Sequence, residues 1–190
     1  GLKEEMNLSA IYEKYGHLFT KPLILEVKEK RKHAKGEEER KLRYLQEFFV
    51  SGYLDTVVKE LTDKAETLQA KEKIKVDSEE MAFRLAAIKI SNEPDRTKRT
   101  KIFQARNKVI DKTINPVLKE RMQKLHDISV ELGYKNYMEL YESVKNIDFL
   151  SLEKIMRSFV DKTESLWVTL MDKTLKGKIG VSLKDAERHD

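Results

Sequence analysis

Residues 37–71 read EEERKLRYLQEFFVSGYLDTVVKELTDKAETLQAK, and this stretch decides the fold class. Its apolar residues recur at intervals of three and four, which places them along one face of an α-helix. They are Leu42, Leu45, Phe49, Tyr53, Val57, Leu61, Ala65 and Leu68. Because the interval settles near four instead of keeping a strict heptad, we predict a core-facing helix of a bundle, not a coiled-coil dimer.

Two shorter helices are predicted before this stretch. The first covers residues 8–18. The second covers residues 20–34, because Pro22 fits the first turn of a helix. Gly36 then separates the second helix from the long one.

Another long helix is predicted between Asn92 and Gly133. Asn92 is a candidate N-cap, Pro94 suits the first turn, and Gly133 is a candidate C-cap glycine. Pro116 lies inside the apolar pattern and should kink or break the helix near Asn115.

Two further helices are predicted to follow, one over residues 136–145 and a long one that Ser151 caps. The apolar residues of the last helix are expected to face the core, and Trp167 is expected to be buried among them. These residues are Leu152, Ile155, Met156, Phe159, Leu166, Trp167, Leu170, Met171 and Leu175.

The one convincing β signal lies in residues 74–83, where the apolar period changes to two. Two short apolar runs flank the polar residues 77–80, which predicts a hairpin that lies against helices, because two strands alone are marginally stable. The predicted fold class is mainly all-α. It is an elongated multi-helix bundle with long helices and one small β-hairpin near residues 74–83, in a single domain over residues 1–190.

The composition agrees with long, exposed helices. Charged residues make up 37% of the chain, compared with roughly 25% in ordinary globular domains. There is no cysteine, which excludes disulfides and cysteine-based catalytic or metal sites. No apolar run approaches the roughly 20 residues of a membrane span, so we expect a cytoplasmic protein with no membrane partner.

Two stretches carry a family resemblance. Residues 92–105 read NEPDRTKRTKIFQA, and residues 121–143 read RMQKLHDISVELGYKNYMELYES. Their order and spacing resemble the oligoendopeptidase F and thimet oligopeptidase group of zinc metallopeptidases, and residues 175–190 are similar to the link between the family's helical and catalytic halves. The matching positions are Asp95, Arg96, Arg99, Phe103, Gly133, Tyr134, Asn136 and Tyr137.

The zinc signature of that family, His-Glu-x-x-His, is absent from these 190 residues. The four histidines are His17, His33, His126 and His189, and no two lie three to five residues apart. We therefore expect no catalytic, cofactor-binding or metal-binding residue here. The resemblance implies the N-terminal helical part of a longer protein, whose missing C-terminal catalytic half holds the zinc.

In such enzymes the helical half forms one wall of a deep channel that admits peptide substrates. The resemblance thus implies a non-catalytic half that hydrolyses no peptide alone, within a zinc-dependent peptidase. In the parent, zinc-activated water would attack the peptide carbonyl.

Basic residues crowd the segment 96–108, which contains no acidic residue. Arg96, Lys98, Arg99 and Lys101 form a candidate surface that faces anions or peptides. The alternative is a solvated helix face whose cations pair with neighbouring carboxylates, with Arg96 and Arg99 paired inside the fold.

Three tyrosines, Tyr134, Tyr137 and Tyr141, recur at intervals of three and four residues. They are candidates for lining a peptide channel. The alternative is packing at a helix corner, because tyrosine suits half-buried joints.

Besides the helical half of a peptidase, two other functions stay open. A self-contained helical module that binds a protein partner would explain the long apolar stripes and the high charge. A nucleic-acid binder would explain the basic segment, but 38 basic and 33 acidic residues are nearly balanced, so we do not expect nucleic acid to be a partner.

Overall fold

The computed structural model describes residues 15–190, and within them the chain is mainly helical with one small hairpin, as predicted. The helices are α1 (Lys21–His33), α2 (Gly36–Lys71), α3 (Ala86–Asn92), α4 (Arg96–Val109), α5 (Asn115–Glu131), α6 (Tyr137–Lys145) and α7 (Phe149–Ile179). The strands are β1 (Lys73–Val76) and β2 (Glu79–Ala82), and short 3₁₀ turns cover Gly16–Leu18 and Phe83–Leu85. Most of the helix predicted over residues 8–18 lies outside the described residues.

Helices α1 and α2 form the first packed pair. Pro22 lies in the first turn of α1, as predicted. Gly36 is the first residue of α2 and has a φ of 57°, a left-handed value that glycine adopts without strain. This allows the chain to reverse direction within a short connection, so that α1 packs against the first half of α2.

The buried face of α2 differs from the predicted stripe. Val50, Leu54 and Val58 are buried, whereas Phe49 and Tyr53 only pack partly against them. Over this stretch the prediction was therefore displaced by one residue, whereas Ala65 is buried as predicted. Both rows repeat every four positions, and the spacing alone does not distinguish them.

The hairpin is antiparallel and pairs Ile74 with Met81. Ile74 and Val76 are buried, so one face of the hairpin packs inward, as expected. Its turn is shorter than predicted, because Glu79 already belongs to β2. Asp77, in the turn, has a φ of 53°, a left-handed conformation that aspartate tolerates better than most residues.

Helices α4 and α5 form one continuous helical run joined by a π-helical turn, Ile110–Ile114. A kink or break was predicted near Asn115; the helix is not broken there, and the irregularity just before Asn115 is this π turn. Asn92 does not cap this run, because it ends α3. Asp95 is the N-cap, and its side chain accepts hydrogen bonds from the backbone of Thr97 at 2.7 Å and Lys98 at 3.2 Å.

The α4–α5 run lies antiparallel to α2. Near one end, Gln46 contacts Tyr134; nearer the other, Arg121 Nε donates a hydrogen bond to Thr62 Oγ1 at 3.0 Å. Gly133, with a φ of 80°, follows α5 as predicted, and Asn136 caps α6 through the Glu139 amide at 2.8 Å.

The core has two clusters at successive positions along the antiparallel pair formed by α2 and the α4–α5 run. The first joins α1, α2, α5 and α6 through Ile24, Val50, Leu54, Val58, Leu125, Leu132, Tyr134, Leu140 and Val144. The second joins the hairpin to α3, α4 and the π turn through Ile74, Val76, Phe83, Ala86, Ile102 and Ile114.

Helix α7 contradicts the prediction that its apolar residues face the core. No residue of α7 is buried, and Trp167 is 54% exposed. The helix also begins before Ser151: Asp148 is the N-cap, and its carboxylate accepts from the Ser151 amide at 2.9 Å.

Candidate docking surface

The first end of α7 is attached to α6. Asn146 ends α6 in a left-handed conformation with a φ of 54°. The amide of Phe149 then donates to the Glu142 carboxylate at 3.0 Å. The chain thus reverses at residues 146–148 and α7 leaves from the α6 side of the body.

The other end of α7 is attached far away, at the start of α4. Residues 181–190 follow the helix, and Asp190 accepts hydrogen bonds from Arg96 Nε at 3.0 and 3.2 Å and from Arg96 Nη2 at 2.9 Å. Arg96 Nη2 also donates to the Asp185 carbonyl at 2.7 Å. These bonds hold the segment after α7 against the first turn of α4.

A second arginine, Arg99, adds further hydrogen bonds to the same segment. Arg99 is buried, and its guanidinium donates to Asp190 at 3.1 Å and to the His189 carbonyl at 3.2 Å. The Asp190 side chain is only 1% exposed. The hydrogen bonds from Arg96 are the main reason why the pKa of Asp190 lies well below its usual range.

The His189 ring completes the contact. It is buried, its Nε2 lies 2.8 Å from Thr100 Oγ1, and its centroid lies 5.2 Å from that of Phe103. Val181, at the start of the segment, is also buried. This segment is therefore docked by charge, hydrogen bonds and ring packing together.

Between its two attached ends, α7 presents a long apolar face. A helix of 31 residues is about 46 Å long, close to the full length of the α4–α5 run. The exposed apolar residues on this face are Leu152, Ile155, Met156, Phe159, Val160, Leu166, Trp167 and Leu170, whereas the exposed Leu150, Val168 and Ile179 lie on the opposite side of the helix. Phe159, Val160, Leu166, Trp167 and Leu170 border a shallow surface groove that is lined by residues of α7 alone.

The face is broad as well as long. At 3.6 residues per turn, these eight residues cover an arc of about 140°. A two-stranded coiled coil needs a narrower seam. Contiguous exposed apolar surface is typical of interaction sites, and we call the eight side chains from Leu152 to Leu170 named above the α7 face.

The four predicted basic residues share the first turns of α4, and each pairs with a carboxylate. Arg96 and Arg99 hold Asp190. Lys98 lies 3.6 Å from Glu79 and 3.7 Å from Glu93, and Lys101 lies 2.9 Å from Asp77. An external anion would have to displace these carboxylates, so the predicted anion-facing role stays a prediction.

The three predicted tyrosines do not share one environment. Tyr134 is 9% exposed and its hydroxyl accepts from Gln46 Nε2 at 3.1 Å, so it packs in the corner after α5. The rings of Tyr137 and Tyr141 lie 5.7 Å apart and line a shallow pocket of ≈ 300 Å³ with Met138 and Phe149. Burial raises the pKa of Tyr137.

Neither a metal site nor a membrane span is found in residues 15–190. No group of three or more histidine, aspartate or glutamate side chains there is arranged to hold a metal ion. His126 is exposed on α5 beside Met122 and Gln123. No helix in this range is both long enough and apolar enough to cross a bilayer.

Two elements of this surface differ from what the sequence predicts. The apolar period of α7 predicts a helix correctly, but the apolar side of that helix does not face the core. The docking of His189 and Asp190 was missed because their partners lie about ninety positions earlier, and no local pattern reports such a contact. Arg96 and Arg99 are the sequence feature that points to this contact, because pairing with carboxylates inside the fold is the alternative given for them above.

Comparisons with known proteins found no match to this chain. No family model matches the chain, no curated protein is significantly similar to it, and no solved structure matches its fold.

Proposed function

We propose that this chain is the non-catalytic helical half of an oligoendopeptidase-like zinc metallopeptidase, and that the α7 face is where it meets the catalytic half. The observation that carries this proposal is the broad apolar face on a helix that is attached at both ends and buries none of its residues.

Covering the α7 face would release much free energy. Burying one large apolar side chain contributes roughly 1.5–3 kcal/mol. Eight such side chains along about 27 Å of helix supply the apolar centre of a stable protein–protein interface. The breadth of the face favours a wide protein surface as its occupant, as a second half of one enzyme would provide.

The tyrosine pocket suits a channel wall next to this interface. The pocket is lined by Tyr137 and Tyr141 of α6 and by Phe149 at the start of α7, so a partner on the α7 face would border it. Aromatic rings with hydroxyl groups can pack against peptide side chains and hydrogen-bond to a peptide backbone. In this proposal Tyr137 and Tyr141 contact substrate, whereas Tyr134 holds the helix corner.

In this proposal, the separate catalytic half carries out peptide hydrolysis. Its His-Glu-x-x-His helix would bind zinc and supply the general base, and the helical half would restrict which peptides enter. We further propose a cytoplasmic location for the assembled enzyme. By itself, this chain is expected to bind no stoichiometric zinc and to cleave no peptide.

A split-enzyme experiment tests the proposal. The chain is mixed with a separately produced catalytic half of an oligoendopeptidase F-type enzyme that contains His-Glu-x-x-His. Sedimentation velocity measures complex formation, and a quenched fluorescent peptide measures hydrolysis. The expected result is a one-to-one complex with zinc-dependent hydrolysis above that of either half alone.

Matched variants locate the interface. Leu166→Glu places a charge in the α7 face and should weaken the complex at least about tenfold, which corresponds to 1.4 kcal/mol. Ser165→Glu adds the same charge on the exposed polar side of α7 and should leave binding unchanged. No complex, or a complex equally affected by both variants, would overturn the proposal.

A self-contained interaction module is the second candidate. It is favoured by the attachment of α7 at both ends, which holds the α7 face in place without any catalytic half. In the split-enzyme experiment, no complex with the catalytic half, together with a monodisperse and stably folded chain, would support this candidate instead.

A nucleic-acid-binding role is the third. Arg96, Lys98, Arg99 and Lys101 already pair with carboxylates of the same chain, which reduces the charge they offer to phosphates. Tight binding to DNA or RNA with a steep salt dependence would be needed to support it.

A further inference from the structure

The first turns of α4 form a receptor for an acidic segment. Arg96 and Arg99 both donate to one carboxylate, that of Asp190. Thr100 and Phe103, one and two turns further along the same helix face, contact the His189 ring. The receptor thus recognises an aspartate preceded by a planar ring.

The receptor contacts are the strongest attachment of the second half of α7. Every residue from Glu164 to Leu170 is exposed, so the body does not bury this part of the helix. Asp172 accepts from the Leu183 amide at 2.9 Å, which fixes the docked segment to the end of α7. Holding Asp190 therefore also holds the helix.

A pivot is present at the opposite end. Asn146 is left-handed, and residues 146–148 separate α6 from α7. One bond that crosses this connection is the 3.0 Å contact between Glu142 and the Phe149 amide. A few residues that absorb a backbone change are sufficient for a hinge.

We propose that residues 181–190 are a releasable clasp. In the clasped state, the receptor on α4 holds Asp190 and His189, and α7 is held at both of its ends. In the released state, α7 turns about residues 146–148 and the α7 face changes its orientation. The ligand class of the receptor is an acidic peptide, so an acidic segment of another chain can compete for it. The clasp does not depend on the partner proposed for the α7 face.

Spin-label distances test the clasp in the full chain. The chain has no cysteine, so Ser158→Cys on α7 and Lys124→Cys on α5 give two labels on exposed positions. With the clasp intact, electron paramagnetic resonance should give one narrow distance distribution. Asp190→Ala should broaden it and add longer distances.

The matched control removes another ion pair that involves α4, between Lys101 of that helix and Asp77 in the hairpin turn. Asp77→Ala breaks the exposed contact with Lys101 but leaves the clasp intact, and it should keep the narrow distribution. An unchanged distribution in Asp190→Ala, or equal broadening in both variants, would overturn the proposal. Circular dichroism verifies that each variant keeps its helical content.

Hydrogen exchange gives a second readout. The Glu187 amide donates to the Asp190 carboxylate at 3.0 Å. In Asp190→Ala this amide should exchange about ten- to hundredfold faster, as expected for losing hydrogen bonds to a charged group. Amides of α5 should exchange at the wild-type rate. Equal protection of Glu187 in both proteins would contradict the clasp.

A peptide tests the receptor itself. A labelled peptide of residues 181–190 should bind the Asp190→Ala chain saturably, measured by fluorescence anisotropy. The same peptide with Asp190→Asn should bind at least about tenfold more weakly, because the charge-assisted bonds are lost. Equal affinity of the two peptides would show that the receptor does not select a carboxylate.

Discussion

The side-chain amide of Gln46 donates a hydrogen bond to the hydroxyl of Tyr134 at 3.1 Å, although 88 residues separate them in the chain. The Gln46 oxygen in turn accepts from Arg31 Nη1 at 3.2 Å. Gln46 is buried, and both the oxygen and the nitrogen of its side-chain amide have protein partners. This network joins α1, α2 and the corner after α5.

Tyr134→Phe should destabilise the chain by about 1–3 kcal/mol, because it leaves a buried Gln46 N–H without its acceptor. Urea unfolding followed by circular dichroism measures the change. Tyr44→Phe is the control: Tyr44 is exposed, and the expected change is below about 0.5 kcal/mol. Similar small losses in both variants would mean that Tyr134 does not hold the corner through its hydroxyl.

Gly52 lies where the Phe19 ring meets α2. A Cβ at this position would lie 2.2 Å from Phe19 Cδ1 and Cε1, so the ring would have to move. Gly52→Ala should therefore cost about 1–3 kcal/mol despite the better helix propensity of alanine.

Gly177→Ala is the matched control, because Gly177 also lies within a helix but has nothing within 4 Å of its would-be Cβ. It should stabilise the chain by up to about 1 kcal/mol. Thermal unfolding compares the two variants. Stabilisation by Gly52→Ala would show that Phe19 does not pack as described.

Helix positions were predictable from the sequence where local chemistry fixes them. Gly133 has the role expected of it, because a left-handed C-cap depends only on neighbouring backbone. The helix predicted over residues 136–145 begins one residue later, with Asn136 as its N-cap. Asn92 was the wrong choice of cap. Glu93 precedes Pro94 and is extended, so the helix has to start beyond the proline, where Asp95 caps it.

Burial was less predictable, because a periodic stripe defines a face but not what covers it. The same kind of pattern is buried at Val50 in α2 and exposed at Leu166 in α7. The candidate site was likewise predictable in its local residues but not in its tertiary contacts. The basic residues were found by composition, whereas their partner Asp190 is joined to them only by tertiary structure.

The clasp has a defined pH dependence. The pKa of folded Asp190 lies below its value in the unfolded chain, which is ordinarily about 3.9. Its stabilising contribution is therefore complete above that value and is lost as the pH falls further, through the folded pKa.

The stability difference between the wild type and Asp190→Asn should thus be constant from about pH 8 to pH 5 and decrease below about pH 4. Urea unfolding of both proteins across this range measures the difference, in which acid effects common to both cancel. A difference that already declines between pH 8 and pH 6 would assign the dependence to another group.

The central claim is that the α7 face lies outside the core and is free to bind a partner. The most direct test is the free energy of unfolding of Leu166→Glu, since leucine and glutamate have similar helix propensities and Leu166 is 72% exposed. We predict a change below about 0.5 kcal/mol, whereas Leu140→Ala in the core should lose about 2–5 kcal/mol. A loss for Leu166→Glu as large as that for Leu140→Ala would place the α7 face in the core and contradict the account.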